Sequence, residues 1–339
     1  MDQVTRVSDV VRALDAITGG RVVTSPADLF SGSNRFVVTK SSNIPGKAIT
    51  ETPGLVFGNP EQPVRRLAVS MTLTESQLEL AGATGVDAIV AHHPVADAAN
   101  SGGVPLKSYV TLYNIAILEL HEAFHGLHPG LAFIHGHRAF RVDIAYGGVP
   151  GNVMNVGRAL EGIRTAGDIL ARLECFGGFD AEHALLGYER KLRGSYDIHE
   201  TNAATGARIL HGSPASPVNT VLHIFPHTGF TVGHLEQALA EHPEVDTVIA
   251  SISRVLPGHP LVEKARERGL TFMVGNTHAM EILENGMPLA VALQVLLPDT
   301  EVLLLRERVT LVPLPAAGTP EIREYARDMA QRFLLPGRS

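Results

Sequence analysis

Residues 66–94 read RLAVSMTLTESQLELAGATGVDAIVAHHP, and this stretch decides the fold. Arg66–Met71 and Asp87–Ala91 are short apolar runs of strand length, rich enough in Val, Ile, Leu and Ala to be buried on both faces. Between them, Thr74 is a good N-cap with Glu75 in the first turn, so Thr74–Gly85 reads as a helix. Strand, helix and strand in this order imply parallel pairing through a right-handed crossover. The second strand runs directly into His92-His93-Pro94, at the end where open α/β sheets place their ligand sites.

The same rhythm extends outward. Toward the N-terminus, Val7–Ile17 has apolar residues at helical spacing and is stopped by Gly19-Gly20. A short helix is expected after Ser25-Pro26, and residues 31–63 read as loops with short strands. Downstream, Leu106–Tyr113 reads as a helix, Asn114–Leu120 as a third strand, and residues 126–148 as a loop excursion. Gly151–Leu160 reads as a helix. Residues 165–230 read as an intervening piece with its own small sheet, formed by Ala184–Tyr188, Ala207–His211 and Thr220–Phe225. Alternation then returns: helix Gly233–Glu241, strand Asp246–Ser251, helix Leu261–Arg268, strand Leu270–Val274 and a helix from His278. The end reads as strands Glu301–Leu305 and Val309–Val312 and an amphipathic helix Pro320–Phe333. The expected class is α/β, with mostly parallel buried strands divided into residues 1–164, 165–230 and 231–339.

Composition bounds the function. The 339 residues are 45% hydrophobic and 19% charged, enough apolar matter for a sizeable core. The formal net charge of −7 argues against a dedicated nucleic-acid binder. Cys175 is the only cysteine, so neither an intrachain disulfide nor a thiolate metal cluster can form. No apolar run reaches the roughly 18 residues that span a bilayer, and the opening residues lack the apolar stretch of a signal peptide; the expected location is the cytoplasm. There is no phosphate-loop motif, no dinucleotide fingerprint and no nucleophile elbow.

Histidine is abundant, at 16 residues against 28 Lys plus Arg. Adjacent histidines in an extended segment point to opposite sides, so His92 and His93 can serve neighbouring metal ions. Pro94 restricts His93 to extended backbone. His278 and Glu281, three apart after a buried strand and an N-cap candidate in Thr277, would share a helical face and can chelate a divalent ion. Glu284 lies off that face and ranks below them. His121 and His125 close the third strand and can reach the same crevice, although either alone reads as a solvated loop residue. His128, His135 and His137 read as loop residues. His211, His223, His227 and His259 read as structural or solvated.

Taken together, the run 66–94, the segment Pro53-Gly-Leu-Val-Phe-Gly-Asn-Pro60 and the late strand with its His…Glu pair over Leu270–Glu281 resemble the Nif-three-like dinuclear metal-centre proteins. That family is also described as type-two GTP cyclohydrolase I. The resemblance implies two α/β lobes with two metal ions in the crevice between them, and a toroidal homohexamer. It matches His92 and His93 to the family's paired histidines, and His278 and Glu281 to its late pair. The sequence departs from the family twice. His278 and Glu281 are three apart where the family has four, and His125 stands where the family has an Asp four residues after a His, here His121. An imidazole there removes a negative charge and favours a nitrogen-preferring ion such as zinc.

The expected ligand set is therefore His92, His93, His125, His278 and Glu281, with His121 ranked behind them, holding two divalent ions (zinc, manganese or iron). Glu281 would ligate or bridge the ions in a metal-dependent hydrolase whose substrate the sequence does not specify; a GTP cyclohydrolase-like reaction is implied by the resemblance alone, and a nucleotide or other phosphate-containing small molecule is the candidate partner. The alternative is a non-catalytic metal-binding scaffold or regulatory assembly protein, which a closed set of protein ligands would favour.

Overall fold

In the computed structural model of the chain, residues 4–41, 46, 48–95, 106–149, 152–252 and 254–335 are described. The fold is mixed α/β and is built on two sheets. The strands are β1 (Val38–Ser41), β2 (Ala48–Glu51), β3 (Gly54–Phe57), β4 (Arg66–Ser70), β5 (Ala88–Ala91), β6 (Ala116–Glu119), β7 (His137–Asp143) and β8 (Met154–Ala159). They continue with β9 (His199–Glu200), β10 (Arg208–His211), β11 (Thr220–Ile224), β12 (Thr247–Ile252), β13 (Thr271–Thr277), β14 (Glu301–Leu305) and β15 (Thr310–Leu311).

The first sheet has the order β14-β4-β5-β6-β3. Its first four strands are parallel, and β3 closes the edge antiparallel to β6. Successive residues of these strands alternate between the two faces. Leu67, Val69, Val90 and Leu118 pack with Val10, Leu14, Leu289 and Leu293, from the helices Val7–Thr18 and Met287–Leu296. On the opposite face Ala68, Ile89 and Ile117 pack with Leu78, Ala81 and Val110, from the helices Glu75–Ala83 and Leu106–Tyr113. Helices on both faces are why these strands read as continuous apolar runs. Thr74 caps its helix as the sequence suggests, its hydroxyl accepting from the Gln77 N–H in a reciprocal capping box.

The second sheet has the order β10-β13-β12-β11-β8-β7. Its centre, β13-β12-β11, is parallel, flanked by antiparallel β10 on one side and β8 and β7 on the other. Leu222, Val248, Phe272 and Val274 pack under the helices Val232–Glu241 and Pro260–Glu267, and Val221, Ile249 and Met273 under the helix Ala166–Gly177.

Four local readings are corrected. Residues 154–159 form β8, not a helix; Gly151, where that reading began, lies outside the described residues. The strand is buried between β7 and β11 and has no polar face to mark its period. Ala184–Tyr188 is helical, in the middle of the helix Phe179–Arg193, whose buried Phe179, Glu182 and Leu186 have helical spacing. The excursion 126–148 carries a short helix, Gly130–Ile134, and β7. The stretch 165–230 makes no separate sheet from its apolar runs: β10 and β11 join the six-stranded sheet, while β9 pairs with β15 near the C-terminus. Among the described residues no helix is long and apolar enough to cross a membrane.

Candidate metal centre

The carboxyl ends of β5 and β6 deliver His92, His93 and His121, and β13 delivers His278 and Glu281 from the other sheet. His92 is 1% exposed, and its Nδ1 lies 2.8 Å from the Leu120 carbonyl oxygen. A carbonyl only accepts, so Nδ1 carries the proton and Nε2 presents a lone pair. That Nε2 is buried with no hydrogen-bond partner, 3.7 Å from Glu281 Oε1. A backbone acceptor on one ring nitrogen and an unpartnered lone pair on the other is how metal-ligating histidines are held. The donor chemistry fits a divalent cation.

His93 Nε2 is 3.3 Å from Glu281 Oε2, and its Nδ1 is 2.9 Å from Thr72 Oγ1 and 3.0 Å from His278 Nε2. The His93 and His278 rings stack with centroids 4.4 Å apart. Asn285 Nδ2 donates to Glu281 Oε1 at 2.9 Å, fixing the carboxylate. Beside this group, His121 Nδ1 lies 3.0 Å from Glu51 Oε2 and 3.7 Å from Glu122 Oε1, and His125 Nδ1 lies 3.4 Å from Glu122 Oε2.

Three sets bring one donor atom per residue within 4.8 Å of each other: His92, His93 and Glu281; His92, His121 and His125; and Glu51, His121 and Glu122. Five of the six site residues drawn from the sequence, His92, His93, His121, His125 and Glu281, fall in these sets. His278 touches the first through His93 and lies 4.0 Å from Glu281 Oε2. Position 125 lacks a carboxylate, but Glu51 and Glu122 bring two to His121, and sequence reasoning missed both. Glu122 could have been found beside His121. Glu51 carries no local signal, because only the fold brings β2 to the end of β6.

The turn that carries His278 and Glu281 also differs from expectation. It is a tight 3₁₀ turn, His278–Met280, followed by a wide π turn, Ile282–Gly286, a local geometry frequent at functional sites. The Thr277 side chain does not cap it and instead hydrogen-bonds to Thr205 Oγ1 at 2.8 Å.

Electrostatics follow burial and neighbours. Burial, reinforced by His93, holds the His92 imidazole neutral, well below its ordinary pKa, and burial likewise lowers His278. Burial pushes the Glu281 carboxyl up, but His93, His92 and His278 outweigh it and the group stays ionised. A hydrogen bond from His125 lowers Glu122 despite its partial burial. Glu284, ranked below Glu281 from sequence, is buried and raised well above the carboxylate range, and its Oε1 accepts from Asn276 Nδ2 at 2.8 Å. His227, in the turn after β11, feels both Glu281 and His93.

The remaining histidines sort by contact. His135 and His137 are fully buried, a correction to their reading as loop residues: His137 opens β7, and His135 Nε2 accepts from the Asn276 N–H at 3.0 Å. His223 is structural, with Nδ1 3.0 Å from His137 Nε2 and Nε2 on Ser251 Oγ. His259 caps the helix Pro260–Glu267 by accepting from the Leu261 N–H. His128 accepts from the Gly130 N–H and packs on Phe124.

Gly275 sets how closely the metal-bearing strand approaches His135. A Cβ there would sit 2.4 Å from His135 Nε2 and 3.0 Å from Ser251 Cβ. Gly275→Ala is therefore expected to destabilise the chain by about 1–3 kcal/mol through overpacking and to weaken metal binding as the turn shifts. Urea unfolding and metal titration of the variant check this; unchanged values in both would contradict it.

A family model, Duf34/NIF3 (NGG1p interacting factor 3), matches residues 37–100. Among solved structures, reduced HcgD from Methanocaldococcus jannaschii is similar at 16% identity and a TM-score of 0.54, covering 89% of this chain and 98% of that one. A Bacillus cereus protein related to NIF3 is similar at 12% identity and a TM-score of 0.51, covering 90% and 97%. A Thermus thermophilus protein, TTHA1606, follows at 15% identity and 0.50, covering 89% and 98%. At these identities the likeness is one of fold. No curated protein matches the sequence.

Proposed function

From the premise that this chain is a Duf34/NIF3 relative, we propose that it is a metal-dependent hydrolase with a dinuclear centre. The carrying observation is that two of the three donor sets share no residue: His92, His93 and Glu281 form one, and Glu51, His121 and Glu122 the other. Two ions can be held side by side without competing for a ligand, and each set contains a carboxylate to offset their charge.

Divalent ions bound there would lower the pKa of a coordinated water and stabilise negative charge developing on a phosphate or amide-like substrate. The chain's own residues do the rest. Leu120 fixes the tautomer of His92, and Asn285 fixes Glu281. Glu51 and Glu122 orient His121. Ionised Glu281 lies within reach of His92 and His93 and would give the first donor set its negative charge. The side chains of His278 and His125 are 39% and 37% exposed, so the site opens to solvent where a substrate would enter. That opening favours an enzyme over the closed ligand set of a scaffold.

The test is hydrolysis of GTP and a panel of phosphate esters by chain reconstituted with zinc, manganese or iron, beside Glu281→Gln. Metal-dependent turnover lost in the variant supports the proposal. Metal binding without turnover of any substrate would return the scaffold reading. We also propose the homohexamer, which light scattering of the purified chain decides.

A further inference from the structure

A cavity lies away from the histidine cluster. It has a volume of about 440 Å³, and Arg208 and Arg254 line it together with Leu173 and Phe179. Arg208 stands on the edge strand β10, and Arg254 follows the end of β12. Burial, reinforced by the charge of Arg208, lowers the Arg254 guanidinium from its ordinary value. Among the described residues no carboxylate comes within ion-pair distance of either, although Glu174 and Asp180 share the lining. The two carboxylates offset charge only from a distance, and two guanidinium groups that face one cavity with no direct carboxylate partner are placed to take an anion there.

Two backbone features lie beside this arrangement. Ile252, two residues before Arg254, has φ +66°, a left-handed conformation that costs a β-branched residue on the order of 1–3 kcal/mol. Gly206 turns its carbonyl to accept from Arg254 Nη1 at 3.2 Å. A Cβ on Gly206 would sit 2.8 Å from the Phe179 ring, so glycine lets the ring form a wall against the backbone. One residue earlier, Thr205 bonds to Thr277, next to His278. The cavity wall is thus one residue removed from a contact with the strand end that precedes the candidate metal ligands.

We propose that this cavity is a binding subsite for the phosphoryl group of a small organic phosphate, held by Arg208 and Arg254, with the apolar part of the molecule against Leu173 and Phe179. Planar guanidinium groups match phosphate oxygens in paired hydrogen bonds. Phe179 and Leu173 add an apolar face that inorganic phosphate cannot use. Glu174 and Asp180 disfavour a highly charged polyanion and leave a single phosphoryl group as the better fit. The inference goes beyond the hydrolase reading and needs no metal.

The test is calorimetric titration of the full chain, stripped of metal by chelation, with phenyl phosphate and separately with inorganic phosphate. Saturable binding of phenyl phosphate is expected, tighter than that of inorganic phosphate. Arg208→Gln and Arg254→Gln should each weaken it about tenfold or more, the scale of a lost charge-assisted hydrogen bond. His93→Ala should bind as the parent does. Because Arg208 is exposed on an edge strand, its variant tests the site even if Arg254→Gln misfolds. Absence of saturation at millimolar phenyl phosphate, equal affinity in Arg208→Gln, or loss in His93→Ala would overturn the proposal. The last outcome would move phosphate binding to the histidine cluster and leave the hydrolase reading standing.

Discussion

Glu281→Ala should lower the affinity of the His92, His93 and Glu281 set for zinc by at least about 100-fold, since even outer partners of metal ligands are worth 10–100-fold. Glu281 is the only carboxylate in that set, and it is buried between His92 and His93. Without it, two neutral imidazoles face a dication with no compensating charge. The set formed by Glu51, His121 and Glu122 shares no residue with it and should keep its ion. Competition with a chromogenic zinc chelator should therefore show one site lost and one retained. Glu281→Gln preserves the side chain's volume and an acceptor for Asn285, so the same loss in that variant assigns the effect to charge. Full retention of both ions in Glu281→Ala would show that the carboxylate is not a ligand.

Acid should destabilise the protein from about pH 6.5 downward, a loss that begins above the range in which carboxylates titrate. Burial lowers His135 to about 4 and His137 to about 3, and burial with the neighbouring histidines holds His223 well below its ordinary value. In the unfolded chain all three protonate near 6.5. Below that value the unfolded state binds more protons than the folded state, so stability falls as pH falls and is fully present above it. At pH 5 His135 and His137 should each cost about 2 kcal/mol, a large share of the 5–15 kcal/mol that holds a typical domain, and His223 acts in the same direction. The midpoint of urea unfolding should drop sharply from pH 7 to pH 5, and less steeply in His137→Gln. Equal midpoints at the two pH values would contradict the buried, neutral state of this cluster.

Much of the fold was legible because parallel strands covered on both faces leave a strong signal. Arg66–Ser70 and Ala88–Ala91 stand out as apolar runs separated by a capped helix. The same rule hid β8: Met154–Ala159 is just as buried, but Val153, Val156 and Leu160 also fit a helical period. Ala184–Tyr188 misled in the opposite direction, because a mostly apolar run of five looks like a strand unless Phe179 and Glu182 are read with it. In the candidate centre, the residues at strand ends were legible from order alone. Glu51 was not, since its approach to His121 depends on β2 folding back across 70 positions of sequence. His135 and His137 looked like loop residues because the segment around them is rich in glycine and histidine. Only the six-stranded sheet shows that they are buried.

The most direct measurement is metal content per chain by plasma mass spectrometry, on gently purified protein and on a His92→Ala/His93→Ala double variant. Close to two divalent ions per chain, with loss of the ion shared by His92, His93 and Glu281 in the variant, is the expected result. A chain that carries no metal, or a variant that carries as much as the parent, would contradict the dinuclear centre.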